Sequence, residues 1–421
     1  MRMKKLKKIV AVMLTIGLGV GAFTACDNSA EDDEPVTIDF WHHYSAQSKE
    51  NEILENELIP KFEAEHENIK VNAVSHEWAD LHDKILINAK ADTLADVARL
   101  DITWIPEFEE ADILVPLNQE FDDFDNKADS LLENAMNTTK IDDNYYGLAL
   151  NTNTKILFYN SNAIEDAGIK VPETLDELKE ATRSLSGTND DGQKVWGFCE
   201  VGLSGWNVLP YIWSYGGDIL NPEQTQASGY VNSEETVAAV EMLAELYQED
   251  ALTGWNSGDI PMTDGFGTER YMMLLEGPWK IAELEGAYPD LEYGTANMPA
   301  GEGGSHSVLG GEDISMFRGD NQEAAWEFMK FMTDEYAQVE MSKAGQIPVN
   351  KAALENEKVK EAEFAPFLEA IENAKSRPTV ANCNEIDNEL AIALDAVMNG
   401  EKPAQEAMDE LAETIDGLLA E

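Results

Sequence analysis

Basic residues are scarce in this chain. Its 29 Lys and Arg stand against 82 Asp and Glu, a formal net charge of −53. A surface so charged repels nucleic acid and anionic headgroups, which leaves neither as a partner. It also weighs against an anionic ligand, since no local cluster of Arg and Lys overrides the field. Cysteine is equally sparse, at three residues, too few for a disulfide scaffold. Cys199 and Cys383 are read as unpaired thiols, because two cysteines 184 positions apart carry no pairing signal. Catalytic signatures are missing as well. There is no Gly-x-Ser-x-Gly elbow with a partner histidine, no His-Glu-x-x-His, and no Gly-x-x-x-x-Gly-Lys to cradle phosphate. Gly301 to Gly304 lacks a following Lys and a helical pattern, so it reads as a loop. No cofactor is implied.

What is present begins with a leader. Arg2, Lys4, Lys5, Lys7 and Lys8 precede an apolar stretch from Ile9 to Phe23. That stretch falls short of the roughly 20 residues a spanning helix needs, so residues 1–25 read as a secretory signal. Thr24-Ala25-Cys26 follows and resembles a bacterial lipobox, with Phe23 where Leu is usual. The resemblance implies cleavage before Cys26 and acylation of its thiol, fastening the protein to the outer face of the cell membrane. Residues 26–35 are then an acidic tether with almost nothing apolar to bury.

About 395 residues remain, more than the roughly 250 to 300 at which one core stops growing, so two lobes are expected. Val36, Ile38 and Phe40 alternate with Thr37, Asp39 and Trp41, as a strand does. A helix follows over Ile53, Leu54, Leu58 and Phe62, kinked near Pro60. Ile69 to Val74 and Asp96 to Leu100 read as further strands, separated by a helix through Leu81, Ile85 and Ala89. Thr174 and Glu177 form a capping box ahead of Leu175, Leu178 and Ala181. Further helical patterns cover Ser233 to Leu246, Ala324 to Met332, and Ile386 to the C-terminus. Alternating strands and helices imply an α/β fold with mostly parallel sheets, in which ligands sit beyond the carboxyl ends of strands. The residues at those ends are Trp41, His42 and Tyr44, then Glu77 and Trp78, then Asp101 and Trp104. His42 and His43 are adjacent on a strand end and point to opposite sides, so no metal site is read there.

Several segments together resemble the extracellular solute-binding proteins, family 1, of bacterial ABC importers, of the maltose-binding-protein type. They are Phe40-Trp41-His42, Pro106 to Leu117, Tyr146-Gly147-Leu148 with Asn151-Thr152-Asn153, Glu276-Gly277-Pro278-Trp279, Val308-Leu309-Gly310-Gly311-Glu312, Ile347-Pro348-Val349-Asn350-Lys351 and Ser376-Arg377-Pro378. The resemblance implies a two-lobe, type II periplasmic-binding-protein-like fold with discontinuous lobes and hinge strands. One lobe would be 36–150 plus 311–345, the other 151–310 plus 346–421. It further implies a monomer that closes on a carbohydrate and delivers it to ABC permease subunits.

The residues suit that chemistry. Aromatic rings cover the flat C–H faces of a sugar, while carboxylates, amides and Arg bind its rim of hydroxyls. Trp206, in Leu203-Ser204-Gly205-Trp206-Asn207, and Trp255, in Thr253-Gly254-Trp255-Asn256, sit among small polar residues and are read as stacking platforms; Trp279 joins them. Trp326, inside an amphipathic helix, reads as core. Asn151, Gly311, Glu312 and Arg377 complete the candidate site, Glu312 following a double glycine on an expected crossing strand. Several aromatics favour a di- or oligosaccharide. Two alternatives stay open. A glycoside hydrolase would need two carboxylates about 5 to 10 Å apart, and no motif selects such a pair. A non-catalytic surface interaction protein would have little use for a hinge.

Overall fold

The computed structural model describes residues 35–360 and 364–420. The leader, Cys26 and the tether up to residue 34 lie outside the described residues.

Two mixed sheets organise the chain. In the first, Val36–His42 pairs in parallel with Ile69–Ser75 on one side and Val97–Asp101 on the other. Val308–Met316 continues it antiparallel to Val97–Asp101, and Leu148–Thr154 and the short Lys375–Ser376 pair with that same strand. The second sheet runs Leu252–Thr253, Phe198–Cys199, Met273–Glu276, Ile156–Asn160, Tyr293–Ala296. Its first three strands are parallel, and Ile156–Asn160 runs antiparallel to both of its neighbours, Met273–Glu276 and Tyr293–Ala296. The expected mostly parallel sheets are thus mixed, because Val308–Met316 runs against the parallel nucleus of the first sheet and Ile156–Asn160 against that of the second. Lys155 alone separates Leu148–Thr154 in the first sheet from Ile156–Asn160 in the second. Val308–Met316 carries the chain back.

Each sheet has its own cores. Ile38, Phe40, Val97, Leu148, Ile314 and Met316 of the first sheet meet Leu54, Leu58, Phe62, Phe328 and Phe331 from helices. Leu157, Phe198, Met273 and Leu275 of the second meet Leu209, Leu243, Leu390 and Leu411. One stretch departs from the expected division. Within 346–421, Lys375–Ser376 joins the first sheet, whereas Phe364, Phe367 and Ile386 to Ile415 pack onto cores of the second.

Local chemistry explains the helix boundaries. Thr174 Oγ1 accepts from Glu177 N at 3.2 Å while Glu177 reaches back to Thr174 N, a full capping box opening Leu175–Leu185. The kink expected near Pro60 begins earlier, as a π-helical turn over Leu54–Leu58. Pro60 has no N–H for the Asn56 carbonyl one turn back, so the hydrogen-bond register shifts ahead of it. The helix expected from Ile386 onward is two, Cys383–Met398 and Ala404–Leu418, broken at Gly400 and restarted after Pro403. Trp326 is core, stacked on Phe121 at 4.6 Å with its Nε1 donating to Asp123. Cys199 and Cys383 are buried free thiols.

Candidate functional site

A cavity of about 320 Å³ opens between the two sheets. Its base is the pair of antiparallel strands 308–316 and 148–154. Gly310 lies opposite Asn153 and Glu312 opposite Asn151; residues paired in this way project to the same face. Asn151 Nδ2 donates to Glu312 Oε2 at 2.5 Å, and Asn153 Nδ2 to the same oxygen at 3.4 Å. The Arg99 guanidinium reaches it as well, at 2.7 Å. Burial pushes the Glu312 carboxyl above its ordinary range, with Arg99 pulling it partly back.

Arg99 also donates to the His43 ring, 2.8 Å from Nδ1, and lies 4.3 Å from the centre of the Tyr44 ring. The imidazole must be neutral to accept. Burial, and after it the Arg99 charge, hold His43 well below the ordinary histidine range.

A second arginine–carboxylate pair stands beside the first. Arg377 Nη2 donates to both oxygens of Asp101, at 2.7 and 2.9 Å. Thr103 adds its N–H and hydroxyl at 2.9 and 2.7 Å. Burial alone would raise the Asp101 carboxyl, but Arg377 and Thr103 outweigh it and hold it below the usual range. Two cations here are matched by two anions, which leaves the centre of the cleft close to neutral.

Aromatic rings close the sides. Tyr44 and Trp78 follow the first-sheet strands. Trp206 and Trp279, near the starts of helices Gly205–Tyr215 and Trp279–Ala287, stack at 6.2 Å and 28°. Two of the cleft's edges are polar: Gln346 Nε2 donates to Glu50 Oε1 at 3.0 Å, and Glu283 pairs with Lys280.

The structure brings Tyr44, Trp78, Asp101, Trp206, Trp279, Gly311, Glu312 and Arg377 to this one cavity. Asn151 acts behind Glu312. The other expected residues lie elsewhere. Trp41 is buried in the first-sheet core with its edge to His76. His42 is enclosed between Phe40 and Tyr44, and burial first, then Arg99, lower its pKa to about 3. Glu77 is exposed at the N-cap position of helix Trp78–Ala91 and makes no side-chain capping bond. Trp104 packs behind Trp78, 5.1 Å ring to ring, and against Phe108. Trp255 lies against Tyr247 on the edge of the second-sheet core, away from the cleft.

Arg99, His43, Asn153, Glu50, Gln346 and Gly310 also line the cavity, and the sequence alone does not mark them as ligand-facing. Arg99 had a usable signal. It is a charged residue inside the apolar strand Val97-Ala98-Arg99-Leu100, two positions before Asp101, so alternation puts both on one face.

The comparisons with known proteins point the same way. A family model for bacterial extracellular solute-binding proteins matches residues 57–366. The galactooligosaccharide-binding protein of Bacillus subtilis is 23% identical over 376 residues, covering 86% of each chain. The GacH receptor of Streptomyces glaucescens, solved unliganded and with acarbose, is similar at a TM-score of 0.80 and 25% identity, over 92% of this chain and 99% of that one. A substrate-binding protein from Listeria monocytogenes in complex with cycloalternan reaches 0.82 at 20% identity, over 92% and 100%. The fold is therefore the two-lobe, type II binding-protein architecture, and the family match extends over most of the folded chain. This protein belongs to the bacterial extracellular solute-binding protein family.

Proposed function

We propose that the protein captures a neutral carbohydrate, a di- or oligosaccharide, between its lobes and delivers it to an ABC import permease. One observation carries the reading: rings from both sides, Tyr44 and Trp78 facing Trp206 and Trp279, flank two charge-balanced arginine–carboxylate pairs in a single cavity. Aromatic faces suit sugar C–H surfaces, and fixed charged hydrogen-bonding groups suit hydroxyls. An anionic ligand would meet arginines already committed to Glu312 and Asp101, with Glu50 and Glu283 nearby. Lobes of 36–150 plus 311–345 and 151–310 plus 346–421, with 375–377 docked on the first, would close by rotation near Lys155 and the crossing strands. A ligand touching both walls favours the closed population by its differential affinity. Acylation of Cys26 would hold a monomer at the outer membrane face beside the permease.

Thermal-shift screening tests this, using neutral mono-, di- and oligosaccharides alongside sugar phosphates and glycerophosphodiesters. A ligand at about 100 times its dissociation constant adds roughly 2.7 kcal/mol. The expected result is stabilisation by a neutral oligosaccharide recovered intact. Stabilisation by anionic compounds alone would overturn the ligand class, and cleavage of the sugar would replace binding with hydrolysis.

A further inference from the structure

The most fully buried charge in the second lobe is Lys155, and neither the fold nor the cavity lining accounts for it. Lys155 Nζ donates to Glu200 Oε1 at 2.7 Å and to Asn207 Oδ1 at 2.8 Å. Its side chain is 0% exposed and that of Glu200 is 2% exposed. A buried ion pair is weak evidence for stability, because desolvating both charges offsets their attraction. Its position suggests another role.

Lys155 is the single residue between Leu148–Thr154 of the first sheet and Ile156–Asn160 of the second, and its carbonyl accepts from Ser307 Oγ at 2.6 Å. Ser307 in turn immediately precedes the other crossing strand. The same side chain lies 5.8 Å from the centre of the Trp206 ring. It also grips Asn207, the next residue on the first turn of the Trp206 helix. Arg377 approaches the Trp206 ring at 5.6 Å.

We propose that the Lys155–Glu200 pair is a positioning device for Trp206, so that a proton taken up by Glu200 alters the aromatic wall of the cleft. The proposal rests on the carbohydrate reading only in calling that wall ligand-facing. With Glu200 ionised, the ammonium is neutralised and held midway between Glu200 and Asn207. With Glu200 protonated, the buried ammonium loses its counter-charge, and its remaining attractors are Asn207 Oδ1 and the Trp206 face. Both belong to the same helical turn, so the shift in pull falls on Trp206.

The groups around Glu200 set where this happens. Tyr211 donates its hydroxyl to Oε2 at 3.0 Å, and the Val201 N–H approaches Oε1 at 3.3 Å. Glu276, at the end of the neighbouring strand, adds a like charge. Cys199 beside it stays a thiol, since burial and then Glu200 push it well above its ordinary range. Burial lifts the Glu200 carboxyl to about 7, Lys155 and Tyr211 opposing and Glu276 reinforcing.

The test uses ligand-free protein labelled with 5-fluorotryptophan and followed by fluorine NMR. Trp206→Phe assigns one signal among nine tryptophans. The expected result is a Trp206 signal that titrates with a midpoint of about 7, becomes flat in Glu200→Gln, and shifts to a higher midpoint in Tyr211→Phe. A wild-type signal that does not move overturns the proposal, as does one that titrates unchanged in Glu200→Gln. If Glu200→Gln does not fold, an unmoved midpoint in Tyr211→Phe is the refuting result. No sugar enters this measurement, so its failure and a failure of the carbohydrate screen are read separately.

Discussion

Adding one methyl group to Gly310 should cost affinity as well as stability. A Cβ there would stand 2.5 Å from Trp206 Cζ3 and 2.8 Å from Cη2, with Asn153 Oδ1 nearer still. Carbon atoms pack at about 3.5 to 4.0 Å, so the ring must retreat by about 1 Å. It has little room. Trp279 stacks on it, and Lys155 and Arg377 stand by it at 5.8 and 5.6 Å. Overpacking of this kind costs about 1 to 3 kcal/mol, part of it relieved by moving Trp206 into the cleft. A stacking platform displaced by about 1 Å would lose roughly 1 to 2 kcal/mol of binding, about 5- to 30-fold in Kd. Calorimetry with the sugar found by screening measures the loss, and a parallel thermal melt measures stability. Gly311→Ala is the contrast. Gly311 has φ +151°, and a Cβ there would meet the Asn151 carbonyl oxygen at 2.6 Å, so backbone strain and lost stability should dominate. A Kd for Gly310→Ala within about twofold of wild type, alongside a large loss in Trp206→Ala, would refute the reasoning.

Arg377→Met should leave the Asp101 carboxylate buried without its cation and lower unfolding free energy by about 3 to 5 kcal/mol in denaturant titration. Asp101 is held below its unfolded value, so that contribution is present above the unfolded pKa and is lost as pH falls through the folded one; the gap between the two proteins should narrow in acid. Asp313→Asn should match or exceed wild type in melting temperature at alkaline pH. Burial pushes the Asp313 carboxyl well above its ordinary range, and the described residues offer it only the Thr138 hydroxyl, at 3.0 and 3.2 Å. Its contribution is full below the unfolded pKa and is lost as pH rises through the folded one, so the advantage of Asn should disappear in melts run toward about pH 4. Trp255→Ala should destabilise by up to about 3 kcal/mol yet leave Kd within about twofold, which calorimetry and melts separate.

The contrast between Trp206 and Trp255 shows what a sequence of this kind exposes and what it hides. Both stand beside glycine and asparagine, and both were expected at the ligand. Local composition places each outside a regular core, as it should. It says nothing about which edge of the sheet the turn decorates. Trp206 opens a helix whose start abuts the crossing strand at Gly310, while Trp255 follows a strand at the far edge of the second sheet. That distinction is a property of strand order, which only long-range pairing sets. The same limit explains Trp104. It follows a strand end, as Trp78 opens a helix just past one, but Trp104 turns inward and supports Trp78 from behind. Proximity to a strand end selects a neighbourhood, not a direction.

Capping and alternation, by contrast, act over a few residues, and there the reading is good. Thr174 and Glu177 cap as their spacing requires, and the alternation of Val36, Ile38 and Phe40 continues into a strand. The polar heart of the cleft lies beyond such reasoning for a different cause. His43, Arg99 and Glu312 come from positions 56 and 213 residues apart, and their hydrogen bonds exist only once the parallel strands and the returning crossing strand lie side by side. Their charge balance is also invisible beforehand, because a chain with so few cations offers no cluster to notice. Yet scarcity is itself informative here. Where a protein this acidic buries two arginines within one cavity, each against a carboxylate, the arginines are too costly to desolvate for stability alone. In the proposed function they present donors fixed in direction to the ligand, from pairs whose charges cancel.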